Sequence, residues 1–187
     1  MKRILIVLIA AMPVAGFAQS AKVTTAVMNY RDYNNTKDFA SLQKAKDAID
    51  LATNHEDTKG EAKTWKYRGD IYLAMFESTM KSETDKLVDI TDANKKTMAA
   101  YQVTPSNDLD AAQEAYRKVI ELDKKNIYTS DSKNALSRCA VHYQNKGIAL
   151  YNAKSYTEAI PVFENAFTVN SALGSVDTEH GERCNLR

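Results

Sequence analysis

Two stretches of this chain carry the same punctuation: an aromatic residue, a glycine four positions on, and a large residue three further. The first runs from Trp65 through Gly69 to Tyr72, the second from Tyr143 through Gly147 to Leu150. A glycine inside a helix costs about 1 kcal/mol relative to alanine. Two glycines at matching places therefore need a structural reason. The spacing implies that a partner helix passes too close at each for any side chain to fit.

Partner helices with the right pattern are present. Ala159, Phe163 and Ala166 follow Gly147 at successive offsets of 12, 4 and 3. The same small-large rhythm appears at Ala112, Tyr116 and Val119, and again at Ala45, Ile49 and Ala52. With these residues in place, the chain resembles the tetratricopeptide repeat family, a 34-residue helical hairpin, in its exported bacterial form. Trp65, Gly69 and Tyr72 match the family signature, with Arg68 where leucine is usual. In the later copy Tyr143 replaces the tryptophan, Lys146 the leucine and Leu150 the tyrosine. Lys124 and Ser171 stand where a closing proline is typical. The resemblance spans roughly residues 40 to 170. It implies an all-α fold of antiparallel hairpins stacked as a right-handed superhelix.

The repeats are interrupted. From Gly69 to Ala112 is 43 residues where the repeat allows 12, and from Ala112 to Gly147 is 35 where 22 is expected. In the first surplus, Leu87, Ile90, Asn94, Met98 and Tyr101 fall at three- and four-residue spacing, which predicts an inserted helix over about 85–103. Thr104-Pro105-Ser106-Asn107-Asp108 should break the chain and cap the next helix. The second surplus, Asn126 to about Cys139, holds no proline or glycine and should lengthen the following helix by three or four turns.

At the N-terminus, Lys2 and Arg3 precede an apolar run over 4–11, followed by Pro13 and Gly16-Phe17-Ala18. That is the pattern of a secretory signal peptide cut after Ala18. The apolar stretch is too short and too broken to span a bilayer comfortably. No cysteine follows the cut, so an exported, periplasmic chain without a lipid anchor is expected. Its domains read as 1–18 leader, 19–170 helical repeat and 171–187 irregular tail. The whole chain has 25 basic and 24 acidic residues; losing Lys2 and Arg3 leaves 23 against 24. A near-neutral chain gives no electrostatic case for nucleic acid, and no membrane insertion of the mature chain is expected.

Chemical motifs are scarce. Cys139 falls on a face that should be buried, and Cys184 in a polar tail; two cysteines make no disulfide framework. His142 follows Cys139 by three and His180 precedes Cys184 by four, too few ligands for a zinc site. His55 reads as part of a turn, and Asp47 and Asp50 as an exposed helix face. No nucleophile elbow, phosphate loop or HExxH is present. No enzyme, cofactor or metal is expected.

Function should then lie on the concave face lined by the first helix of each pair. The resemblance places groove positions at Lys63, Lys66, Asp70 and Leu73, and at Val141, Gln144, Ile148 and Tyr151. Lys66 suits carboxylate capture, but Asp70 adds repulsion. A protein or peptide partner in the cell envelope is the expectation. The alternative is an accessory solute- or glycan-binding protein of an outer-membrane uptake system, using Tyr30, Tyr33, Trp65 and Tyr67. The stretch after Val169 lacks the amphipathic pattern of a final capping helix. The sequence therefore also suggests a shortened family member with self-association through its C-terminal hairpin.

Overall fold

The computed structural model describes residues 15–184, with side chains over 21–174. Most of the expected leader, and with it the tail beyond Cys184, lies outside the described residues. Among those described, the chain forms seven helices and no strand. They are α1 (Ala15–Thr36), α2 (Phe39–Thr53), α3 (Ala62–Lys86), α4 (Ala93–Val103), α5 (Asn107–Leu122), α6 (Thr129–Asn152) and α7 (Tyr156–Cys184).

Local chemistry sets the boundaries. Asp38 caps α2, its carboxylate accepting from the Ala40 and Ser41 backbone N–H groups at 3.1 Å each, which satisfies two of the free donors at a helix start. Asp92 accepts from Lys95 N at 2.9 Å to open α4. Asp123 holds the start of α6, its Oδ2 accepting from Tyr128 N at 2.6 Å and Thr129 N at 2.9 Å. Lys37 and Lys154 take left-handed backbone (φ 58° and 65°) at the tight α1–α2 and α6–α7 turns.

The helices pair as α1 with α2, α3 with α5, and α6 with α7. This is the all-helical, hairpin-based fold that the repeated pattern predicts. Leu42, Ile49, Ile71, Phe76, Tyr116, Leu136, Tyr143 and Val169 form the centre of its core. Trp65, at the head of the first signature, is half-buried and its indole N–H donates to the Lys59 carbonyl at 2.6 Å. Tyr72, Ala112, Ala159 and Ala166 are buried repeat positions, as the pattern requires.

Four details differ from the sequence reading. The inserted helix begins at Ala93, not near 85, because α3 itself runs on to Lys86 before turning. Ser106 occupies the N-cap of α5 but makes no side-chain cap bond; Asp108 and Asp110 supply negative charge to the first turn instead. Asp50 is half-buried, not part of a solvated face: it accepts from Tyr72 Oη at 2.7 and 2.9 Å and pairs with Arg68 and Lys46. The backbone stays helical through Cys184, so 171–184 is not the irregular tail expected.

α6 lengthens at its N-terminal end as expected, and this staggers the array. Glu77 of α3 meets Arg138 and His142 of α6, separations of 61 and 65 residues. Gly69 and Gly147 are 78 apart. Level stacking of identical repeats would set that same separation across the interface. The difference of 13–17 residues amounts to a slide of roughly 20–25 Å along α3. α4 fills the space so opened and packs on both α3 and α6.

Lys146 fixes α4 there. It is buried, and its ammonium donates to Tyr101 O at 2.9 Å and Thr104 O at 2.6 Å, the free carbonyls at the end of α4.

Candidate functional site

The faces of α1, α3 and α6 enclose a cavity of about 290 Å³, with Tyr116 of α5 at its floor. Lys66, Asp70, Leu73, Ala74 and Glu77 line it from α3, Tyr30 from α1, and Asp131, Asn134, Ala135 and Arg138 from α6. One helical face of α3 supplies all its contributors, because residues three and four apart stack on one side.

Four of its five charged residues pair with one another across or along its walls. Lys66 pairs with Asp70, and Tyr116 Oη donates to Asp70 Oδ1 at 3.0 Å. Arg138 pairs with Glu77, and His142 Nε2 lies 3.3 Å from the same carboxylate oxygen. Tyr101 Oη is 2.8 Å from His142 Nδ1, which ties α4 to the rear of the cavity.

Environment pushes the two carboxyls in opposite directions. Burial raises Asp70 above the usual carboxylate range, and Lys66 and Tyr116 only partly offset it. Burial also acts to raise Glu77, but the hydrogen bond to His142 and the Arg138 charge outweigh it and hold that carboxyl low. Burial and the Asp70 charge push the Tyr30 phenol up to about 12 and lift Tyr116 further. Both phenols are neutral at physiological pH, and Tyr116 donates. Asp70, Glu77 and Asp131 outnumber Lys66 and Arg138, so the cavity favours neutral or cationic groups over a free carboxylate.

Of the groove positions taken from the repeat pattern, Lys66, Asp70 and Leu73 line this cavity. Lys63 is exposed and is not part of the lining. Val141, Gln144, Ile148 and Tyr151 are exposed on a different stretch of α6 and do not join it. The slide of α6 explains the difference: it brings 131–138 opposite Asp70 and Glu77, where equal repeats would have brought residues near 148. Glu77 and Arg138 were not among the expected positions, and Tyr30, expected only for the glycan-binding alternative, lines this cavity as well. The 13-residue surplus before Gly147 was the signal that the register had moved.

Cys139 is buried, its thiol pushed up to about 12 by burial. Among the described residues no three His, Cys, Asp or Glu side chains gather as a metal ion would require. Nor is any helix among them long and apolar enough to cross a membrane.

Stacked helical hairpins with a polar cavity on their first helices define a helical-repeat protein. Residues 105–126 match the family model described as tetratricopeptide repeat, which supports a tetratricopeptide-repeat protein. The matched stretch covers α5, the second helix of its hairpin; the first, α3, lies across the α4 insertion. Neither a curated protein nor a solved structure matches this chain. Repeats of this family serve as protein-interaction modules and are typically not catalytic.

Proposed function

We propose that this protein is a non-catalytic interaction module of the bacterial cell envelope that takes a segment of a protein partner in the α1–α3–α6 cavity. The observation that carries the reading is convergence: three first helices direct Tyr30, Asp70, Glu77, Asn134 and Arg138 into one recess. An extended backbone offers amide donors and acceptors that such a polar recess can meet. A neutral or basic side chain fits its charge balance, and a terminal carboxylate does not. The leader-like residues 1–18 support export, with the mature chain starting at Gln19.

A photo-crosslinking amino acid at Asn134, in cells, tests the binding site. A discrete crosslinked protein is the expected result, lost when Arg138 is reversed to Glu; an uncrosslinked chain at every cavity position tried would overturn the reading. Fractionation with N-terminal sequencing tests the compartment separately. An intact Met1 in the cytosolic fraction would remove the envelope role.

A further inference from the structure

The last hairpin carries a second surface unrelated to the cavity. α7 has two apolar stripes. Ala159, Val162, Ala166 and Val169, at 3-4-3 spacing, are buried against the rest of the fold. Tyr156, Ile160, Phe163 and Phe167, at 4-3-4 spacing, form a second stripe that stays exposed, with Ile160 58 % and Phe167 74 % exposed. That alternation of three and four is the spacing of a seam between two helices. Ile148 and Tyr151 of α6 widen the stripe, and Tyr151 packs edge-on to Tyr156 with ring centroids 5.2 Å apart.

The preceding hairpin shows what such a seam does when covered. Tyr116 on α5 occupies the place that Phe163 holds on α7, each ring lying on the glycine of its partner helix. α6 packs over α5, and Tyr116 is 1 % exposed; Phe163, with no described helix over it, is 37 % exposed.

We infer that this stripe of α7, with Ile148 and Tyr151 of α6, is the interface at which two copies of the chain pair about a two-fold axis. Aromatic side chains bury on the order of 150–250 Å² each when covered, and the two isoleucines add a smaller share. Allowing for their partial burial, the six present roughly 700 Å² per copy, close to the ~800 Å² per partner of a standard stable interface. A two-fold interface brings the same patch from both copies together, and a continuous apolar stripe is complementary to itself. A contiguous patch of this extent is also more than a soluble monomer ordinarily exposes.

Sedimentation velocity across micromolar concentrations tests the inference on the purified protein and on Ile160→Glu and Phe167→Glu. Both positions are largely exposed, so the variants should keep the helical circular-dichroism signal and melting temperature of the parent. The parent should sediment as a dimer, and each variant should associate at least tenfold more weakly. A parent that is monomeric throughout the range overturns the inference, whether or not it co-purifies with another protein. So does a dimer that both variants leave intact, since the interface would then lie elsewhere.

Discussion

Gly69 lies directly under the ring of Tyr116: a Cβ built on the glycine would sit 2.5 Å from Tyr116 Cε1. The same relation recurs between Gly147 and Phe163, at 2.6 Å. The two sites differ in what the ring can do. Tyr116 is buried and its hydroxyl is held by Asp70, whereas Phe163 has an open side. Overpacking a closed site costs about 1–3 kcal/mol, while alanine regains about 1 kcal/mol of helix propensity. Gly69→Ala should therefore destabilise by up to about 2 kcal/mol, and Gly147→Ala should fall within about 0.5 kcal/mol of neutral. Urea denaturation of the two variants checks the asymmetry; equal losses would contradict it.

Lys146→Met keeps the buried stem and removes the two hydrogen bonds to Tyr101 O and Thr104 O. Leaving such carbonyls unmet in a buried place costs about 1–3 kcal/mol. The loss should appear locally, as faster amide hydrogen exchange over α4, residues 93–103, before global unfolding is affected. Uniform acceleration along the chain would show that α4 is not held this way.

Acid should separate the two cavity carboxylates. Glu77 is held low in the folded state, so its contribution is complete above its unfolded value and is lost as pH falls through the lower folded value. Asp70 is held high, so its ionised form destabilises the fold, and that burden lifts as pH falls through the raised value. Glu77→Gln should thus be less stable than the parent at pH 7, with the gap closing on acidification below the ordinary glutamate range. Asp70→Asn should show no such closing gap. Denaturation midpoints at pH 7, 5 and 3.5 distinguish the two patterns.

Asp123→Ala removes the acceptor for Tyr128 N, Thr129 N and Thr129 Oγ1. The loss of this bridge at the head of α6 should cost about 1–2 kcal/mol. Asp123→Asn should recover part of it, since the amide oxygen can still accept. Melting temperatures of both variants decide the matter.

Much of this architecture is legible in the residues themselves. The glycines and their aromatic covers announce hairpins because each is a steric necessity within one repeat. The proline break at 105 and the surplus before Gly147 locate the insertion and the long α6 by counting. What stays hidden depends on contacts between repeats. Lys146 stands at a position usually leucine, and nothing in the sequence places the end of α4 over it. Arg68, at the matching position of the earlier copy, lies 4.5 Å from the Tyr72 ring centroid and pairs with Asp50. Asp50 loses its solvated appearance only through that three-dimensional arrangement. Glu77 and Arg138 are unremarkable charges on separate helices, and only the stagger of α6 sets them face to face. α1 also lacks a repeat signature of its own, and its place on the cavity follows from α2 pairing with it.

The stagger has a consequence for recognition. An array of identical units offers a bound strand several equivalent footholds, each one repeat apart, so a ligand can shift along it without penalty. With α6 displaced against α3, the translational equivalence is gone, and among the described residues the recess between them occurs once. On the proposed function, a segment settling beside Asp70 and Arg138 would be held in a single frame, with sequence on either side of it read at fixed distances from that notch.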